Sequence, residues 1–331
     1  MSGTGPGGTT LSVVVLAAGQ GTRMRSSLPK VLHEAAGRPL LDHVLSAAGA
    51  LAPARTVVVV GHGAEAVRAR FAGAGVTFVE QAEQRGTGHA LLCAREALEG
   101  HAGPLLVLYG DQPLVQARTL EGLVQQQRRR GGAVLLTYEV ADPYGLGRVV
   151  RAPDDSVLRV VEEKDASVEE RAIHEVYPGA IVFDEAAFDL ARSLSADNAA
   201  GEYYLTDMVA LYRDSGRGLH AFRGHDEMRE LIGVNTRGEL ARAEALLRRR
   251  VRERWLAAGV TMHAPESTFL DEAVTLDSDV VLEPGVLLRG ATRVGRGARV
   301  GAYAVLDDCT VAAGAVVPPH AVARGRSFEA S

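Results

Sequence analysis

Short runs of valine and leucine alternate with longer Ala-, Leu-, Glu- and Arg-rich stretches from Leu11 to about Gly233. Apolar runs of this length are typical of strands buried on both faces of a mostly parallel sheet, and the intervening stretches have helical spacing. The pattern therefore predicts an α/β domain. The predicted strands are Ser12–Leu16, Thr56–Val60, Val76–Val79, Pro104–Tyr109 and Ala133–Val140. The predicted helices are Leu40–Ala50, Ala64–Ala72, Gly88–Leu98 and Ala117–Arg130.

A six-residue period replaces this alternation after Pro265. A period of six fits neither a helix nor a hairpin, but it is typical of the hexapeptide repeats of a parallel β-helix. Since one coil uses three hexads, we expect about two to three coils before Ser331. The periodic positions are Val274, Val280, Val286, Thr292, Val294, Val300, Leu306, Val311 and Val317.

These changes of pattern divide the chain into four predicted parts. Residues 1–10 are expected to form a disordered leader, because they have neither the positive start nor the apolar centre of a secretory signal. A domain over 11–235, a helical linker over 236–262 and a truncated β-helix over 263–331 follow. A run of arginines, Arg248, Arg249, Arg250, Arg252 and Arg254, makes the linker basic. The main interpretation is a solvated helix face, and the alternative is an anion-binding surface.

Composition excludes several classes of protein. Lys and Arg number 36 against 41 Asp and Glu, a net charge of −5, so there is no overall positive field for nucleic acid. Two cysteines, Cys93 and Cys309, cannot build a disulfide framework, which favours a reducing cytoplasm. No apolar run approaches the roughly 18 residues of a membrane span, so no membrane partner is expected.

A glycine-rich turn, within Leu16–Met24, directly follows the first predicted strand. Such a turn lets backbone N–H groups near Gly19 and Gly21 approach a phosphate closely. It is not the dinucleotide fingerprint, because Met24 occupies the third glycine position, and it is not a P-loop, because no Gly-Lys-Ser/Thr follows. Two cations, Arg23 and Lys30, flank the turn where a triphosphate would need its charge neutralised.

The turn is one of several motifs that occur in order along the chain. Together they resemble the nucleotidyltransferases that join a nucleoside triphosphate to a sugar 1-phosphate. Within that superfamily, the chain is most similar to the bacterial N-acetylglucosamine-1-phosphate uridylyltransferases, which are usually fused to a glucosamine-1-phosphate acetyltransferase. The motifs are Leu16–Met24, Leu28–Lys30, Gln81–Ala90, Leu108–Asp111, Gly147–Arg148, Glu162–Asp165, Gly201–Asp207 and Gly233–Asn235.

The resemblance implies a Rossmann-like nucleotidyltransferase domain, a helical linker and a short left-handed parallel β-helix. It also implies a role for particular residues. The catalytic cations would be Arg23 and Lys30. The nucleotide would be bound by Ala18, Gly19, Gly21, Gln81, Gly86 and Thr87. The sugar would be bound by Tyr109, Gly147, Glu162 and Tyr204. Asp111 and Asn235 would hold Mg²⁺.

These assignments agree with the chemistry of the side chains, although three of the residues also have a simpler interpretation. The Gln81 amide offers the uncharged donors and acceptors that a uracil edge needs, but it could be a surface glutamine. Asp111 and Asn235 are oxygen ligands of the kind Mg²⁺ takes, but Asp111 could be a turn former. Glu162 lies in a charged run and could be solvated.

The reaction that the resemblance implies is attack of the sugar-phosphate oxygen on the α-phosphorus of UTP, with pyrophosphate as the leaving group. A phosphate oxygen is already ionised at neutral pH, so none of the ten histidines is required as a base. Alignment and charge neutralisation would carry the catalysis.

The chain departs from the family pattern at Tyr177-Pro178, where the family has Asn and a small residue. The acetamido sugar could be bound in a modified way, another hexose 1-phosphate could be used, or activity could be impaired. The alternatives are therefore a nucleotidylyltransferase for another sugar and a non-catalytic sugar-nucleotide sensor or regulatory subunit. The short β-helix leads us to expect no acetyltransferase activity, and it would weaken a homotrimer formed through that region.

Overall fold

The computed structural model describes residues 10–224 and 233–330. Their contacts form two compact units. The described parts of Met1–Leu32 and Leu40–Thr236 form the first unit, and those of His33–Pro39 and Arg237–Ser331 form the second. Apart from Thr10, the predicted leader lies outside the described residues.

The first unit is built on one large sheet. Its strands, in chain order, are β1 Ser12–Ala17, β2 Arg55–Val60, β3 Thr77–Glu80, β4 Leu105–Tyr109, β5 Ala133–Glu139, β6 Gly147–Arg151, β7 Val157–Val161, β8 Glu175–Tyr177, β9 Ile181–Phe183 and β10 Leu219–Arg223. Their spatial order is β3-β2-β1-β4-β9-β5-β8-β6-β7, and β10 pairs with β5. The α/β class predicted from the apolar runs is confirmed.

Helices cover both faces of this sheet. They are α1 Leu40–Gly49, α2 Ala64–Arg70, α3 Thr87–Cys93, α4 Ala117–Arg130, α5 Val168–Arg171, α6 Ala187–Ala191 and α7 Met208–Asp214. Because helices cover both faces, strand β1 must be apolar on both sides, which explains its continuous apolar run. Val13 and Val15 pack into one hydrophobic cluster with α1, α2 and α4, whereas Val14 packs into the opposite cluster with α3, α6 and α7.

The pairing of the strands is mixed. Strands β1–β4 pair in parallel, as do β5 and β10, and this half contains the strands that lead into the glycine-rich turn, Gln81 and Asp111. Beyond β4, every pair except β5 with β10 is antiparallel. For example, β9 runs against β4 and β5, and β8 runs against β5 and β6. This antiparallel half was not predicted, because short apolar strands do not reveal their direction.

The second unit begins with α8, Arg237–Ala257, and continues as a parallel β-helix. Strands eighteen or so residues apart stack in parallel to form three faces of four strands each. The expectation of two to three coils was too low, because stacking starts at Thr261, before the clear hexads. Each hexad buries two positions, as at Val280 and Leu282, and this arrangement is consistent with the predicted left-handed β-helix.

The arginine-rich helix α8 is not simply a solvated face. Arg252 is buried and its guanidinium donates to Glu266 at 3.2 Å, while Arg248 donates to Glu244 and to Asp271 at 3.0 Å. Carboxylates of the same unit therefore neutralise part of the run. No helix in the described part of the chain is both long enough and apolar enough to span a bilayer.

Candidate active site

The glycine-rich turn leaves the carboxyl end of β1 and forms one edge of the candidate site. Gly21 adopts a φ of 63°, and a Cβ there would lie 2.8 Å from the Lys30 Cβ, so the close approach of Lys30 requires glycine. Gly19 faces open space, since no heavy atom lies within 4 Å of a Cβ built on it. Buried Met24 anchors the following turn of 3₁₀-helix, Thr22–Met24, and leaves Arg23 exposed to solvent.

A three-residue cluster lies beside this turn. The Lys30 ammonium donates to the Asp111 carboxylate and, at 2.9 Å, to Asn235 Oδ1. The Val234 N–H donates to the Asp111 carbonyl at 2.9 Å, which holds Asn235 next to the end of β4. Residues far apart in sequence thus meet at the carboxyl edge of the sheet, as the motifs predicted for ligand-binding side chains.

This cluster fits a divalent cation. Because one ammonium contacts both Asp111 Oδ2 and Asn235 Oδ1, a single cation can reach both oxygens. Within residues 10–224 and 233–330, no group of three or more His, Cys, Asp or Glu side chains could hold a metal. Two protein oxygen ligands, with phosphate oxygens and waters supplying the rest, would suit Mg²⁺ rather than a closed structural site.

Gln81 lies at the carboxyl end of β3, and its side chain is held from two sides. The residue is only 3% exposed, and its backbone N–H donates to Val60 at 2.8 Å. The amide nitrogen Nε2 lies 3.0 Å from the Gly86 carbonyl oxygen and 3.0 Å from His89 Nδ1. Gln81 is therefore not a surface glutamine.

The segment from Gly86 to Gly88 is tied to the loop that precedes α7. Gly86 has a φ of 106°, and a Cβ there would lie 2.5 Å from the Tyr203 carbonyl oxygen. The Gly88 N–H donates to that oxygen at 2.7 Å, and the Leu205 N–H donates to Thr87 Oγ1 at 2.9 Å. The predicted nucleotide-binding and sugar-binding motifs are thus joined by hydrogen bonds that involve the backbone.

Glu162 follows β7 and is largely shielded from solvent. The Thr206 hydroxyl donates to Glu162 Oε1 at 2.9 Å, and a Cβ on Gly147 would lie 3.8 Å from Oε2. Burial raises the pKa of Glu162, with Asp207 and Asp165 adding to the effect. Its alternative interpretation as a solvated charge is wrong.

Two tyrosines flank Glu162. Burial, followed by the charge of Glu162, raises the pKa of Tyr109 well above its usual value. Burial, followed by the charges of Asp165 and Glu162, raises the pKa of Tyr204 to about 12. Both phenols are therefore protonated at neutral pH, and the Tyr204 hydroxyl donates to the Asp165 carboxylate. Tyr109 also lies near Thr87, so the structure brings the sugar-binding residues predicted from sequence next to the predicted nucleotide-binding segment.

The dipeptide Tyr177-Pro178, which departs from the family pattern, lies beside the same side chains. Tyr177 is 5% exposed, and burial, with Tyr109 and Glu162 adding to it, raises its pKa well above the usual value. The Pro178 carbonyl accepts a hydrogen bond from the Gln112 amide. At the next residue, Gly179, a Cβ would lie 2.1 Å from the Tyr109 ring. Tyr177 therefore occupies space next to the predicted sugar-binding side chains.

Sequence reasoning missed some contacts of this site. No role was predicted for His89, although it lies within the Gln81–Ala90 motif, and none was predicted for Thr206. In the sequence, the only sign of a role for His89 was that it lies in the same motif as Gln81. That the two side chains are partners became evident only from the 3.0 Å distance between Gln81 Nε2 and His89 Nδ1.

Known proteins match this chain over nearly all of its length. Residues 13–177 match the model of the MobA-like NTP transferase domain. The bifunctional protein GlmU of one strain of Thermus thermophilus is 52% identical over 312 residues, which are 94% of this chain and 68% of that relative. The protein of the same name from a second strain of that species is 51% identical over the same shares. The bifunctional protein GlmU of Syntrophotalea carbinolica is 44% identical over 317 residues, 95% of this chain and 68% of that protein.

These matches extend over nearly all of the chain, and the matched transferase domain contains most of the side chains gathered at the sheet edge. They confirm the family resemblance and the type of enzyme that the motifs predicted. The chain belongs to the GlmU family and is a sugar-1-phosphate nucleotidylyltransferase.

Proposed function

We propose that the enzyme transfers the uridylyl group of UTP to N-acetylglucosamine 1-phosphate, giving UDP-N-acetylglucosamine and pyrophosphate. The observation that carries this proposal is the convergence of Lys30, Asp111 and Asn235 beside the glycine-rich turn. A cation next to two oxygen ligands, at a loop that exposes backbone N–H groups, suits a triphosphate better than a neutral ligand.

In the proposed reaction, an oxygen of the sugar phosphate forms a bond to the α-phosphorus of UTP. The bond from that phosphorus to the oxygen bridging to the β-phosphorus breaks, and pyrophosphate leaves with the electron pair. Because the attacking oxygen is already ionised, the site needs no general base. Lys30 and the exposed Arg23 would neutralise the charge that develops on the phosphates.

Asp111 and Asn235 are the residues that would hold Mg²⁺ in this reaction. When bound, the ion would neutralise phosphate charge and hold both substrates in line. Lys30 now contacts both oxygens, so it would turn toward the phosphates, a displacement its long side chain permits.

Two groups of residues in the site suit the two substrates. The base would lie against the Ala18 backbone, Gln81 and the Gly86-Thr87 turn, which offer hydrogen bonds and no charge. The hexose would lie on the side of Glu162 and Tyr204, with Tyr109 and Gly147 next to them. Carboxylate and phenol groups are suited to sugar hydroxyls, which both donate and accept.

One observation favours a second candidate substrate. Tyr177 fills space beside Tyr109 and Glu162, where the family pattern has the smaller asparagine. A hexose 1-phosphate with a smaller group than acetamido would fit a narrowed pocket. We therefore keep a different sugar 1-phosphate as the alternative acceptor.

Pyrophosphate release separates these acceptors. The purified chain is given UTP and Mg²⁺ with N-acetylglucosamine 1-phosphate, glucose 1-phosphate or N-acetylgalactosamine 1-phosphate. Fast release with the first sugar alone supports the proposal. Release with another sugar alone makes Tyr177-Pro178 the specificity determinant, and Tyr177→Asn should then shift the preference. No release with any of the three sugars, from folded protein that binds UTP, rejects both candidate acceptors.

The proposed metal pair has its own test. Asp111→Ala should abolish pyrophosphate release while leaving binding of UTP without Mg²⁺ largely intact. The presence of Arg23, Lys30, Asp111 and Asn235 together supports the proposed Mg²⁺-dependent reaction.

Three further expectations stay predictions. A homotrimer through the β-helix is checked by light scattering, and a cytoplasmic location by fractionation of cells. The expected lack of acetyltransferase activity is checked by supplying acetyl-CoA and glucosamine 1-phosphate and following release of free thiol.

A further inference from the structure

His89 has no part in the proposed phosphoryl chemistry, yet it contacts the residue proposed to read the base. It lies in the first turn of α3, with Nδ1 3.0 Å from Gln81 Nε2. Its other ring nitrogen, Nε2, lies 4.0 Å from Cys93 Sγ. The ring therefore lies between Gln81 and the end of the same helix.

The contacts determine which way the Gln81 amide points. The atom 3.0 Å from the Gly86 carbonyl oxygen must be the amide nitrogen, because a carbonyl can only accept. An amide nitrogen donates two hydrogens and accepts none, so His89 Nδ1 accepts the second one. The imidazole is then the neutral tautomer with its proton on Nε2, directed toward Cys93.

This arrangement leaves Gln81 with one polar atom for a ligand. Both amide hydrogens are engaged, and Oε1 accepts no hydrogen bond from the described residues. An inverted amide would place Oε1 against two acceptors, Gly86 O and His89 Nδ1. Since Gln81 is 3% exposed, water has little room to relieve that repulsion.

We propose that His89 is a positioning residue that fixes the Gln81 amide so that Oε1 selects a pyrimidine carrying a hydrogen on N3. Uracil and thymine have that N3–H donor, whereas N3 of cytosine is an acceptor and would meet Oε1 with like polarity. This inference rests on the proposed function, in which Gln81 holds the base of the nucleotide. The inference assigns selection of the base to Gln81, which contacts the base, and to His89, which orients Gln81.

Two kinds of substitution test the acceptor directly. His89→Phe keeps a ring of similar size but removes the acceptor, and His89→Met is a second acceptor-free variant in case the first does not fold. His89→Asn returns a carbonyl oxygen close to the position of Nδ1. The matched control is His263→Phe, because His263 is an exposed histidine of the β-helix.

The assay is pyrophosphate release with UTP and with CTP, with the acceptor sugar that the wild type uses. In His89→Phe, we expect the UTP-over-CTP ratio of kcat/KM to fall about tenfold or more, the effect of one misdirected buried hydrogen bond. KM for UTP should rise, whereas KM for the sugar phosphate should stay unchanged. His89→Asn should recover most of the ratio.

Each remaining outcome is decisive. An unchanged ratio in folded acceptor-free variants overturns the inference, and so does equal loss in His89→Asn, since that would make the ring a packing element. A wild type that releases no pyrophosphate from UTP overturns the proposed function itself. A wild type that is active on UTP but equally active on CTP overturns only the selection by Gln81 and His89.

Discussion

Lys30→Met is the substitution that separates catalysis from folding most clearly. Methionine keeps most of the length of the side chain and removes its charge. Loss of one preorganised charge contact in the transition state typically costs about 10²–10³-fold in kcat, or about 3–4 kcal/mol. We therefore expect pyrophosphate release at saturating UTP and sugar phosphate to fall by about 10²-fold or more.

The effect on stability should be much smaller. The side chains of Lys30 and Asp111 are 13% and 16% exposed, between a surface pair and a buried one. The free energy of unfolding should therefore fall by about 1–2 kcal/mol. Lys30→Arg restores the charge but not the shape, so partial recovery of kcat is expected.

The measurement combines initial rates of pyrophosphate release with urea unfolding of the same preparations. Arg25→Gln is the matched control, because Arg25 is an exposed cation of the same loop and lies outside the cluster. The control should keep its rate. Turnover of Lys30→Met within about threefold of the wild type, under saturating substrates, would refute the role of this ammonium.

Three other predictions concern the metal ligands, the base segment and acid stability. Asp111→Asn should require a much higher Mg²⁺ concentration for half-maximal rate, measured by Mg²⁺ titration, and an unchanged titration would contradict the ligand assignment. Gly86→Ala should lower the free energy of unfolding by about 1–3 kcal/mol from backbone strain alone, which chemical denaturation measures. It should also raise KM for UTP, measured from initial rates, because the new Cβ would lie 2.5 Å from the Tyr203 carbonyl oxygen. Burial by itself would raise the pKa of Glu175. The pKa is nevertheless below its ordinary value of 4.5, chiefly because Arg151 Nε donates a hydrogen bond to Glu175 Oε2 at 2.6 Å. A depressed carboxyl pKa stabilises the fold above the unfolded value and loses that contribution as pH falls through the folded value. Glu175→Gln should thus lower Tm at pH 7 but much less at about pH 3, and an equal loss at both would contradict the ion pair.

The apolar pattern determined much of this protein. Strands, helices and the six-residue repeat are local consequences of which residues can be buried. Strand β1 and helix α4 were therefore predicted closely from sequence, and the β-helix was predicted except for its number of coils. The order of the motifs indicated the family. The candidate site residues could be named from the same motifs, because glycines, cations and oxygen ligands are the groups that bind phosphates and a metal ion.

Contacts between distant residues were decided by the tertiary structure. Periodicity is blind to strand direction, so the antiparallel half of the sheet, with Glu162 and Tyr177, could not be predicted from it. Composition showed an arginine run in α8, but only the packing of the second unit gave Arg252 its partner. The orientation of Gln81 depends on His89, because a hydrogen bond needs its two atoms about 3 Å apart and only the folded backbone sets that distance.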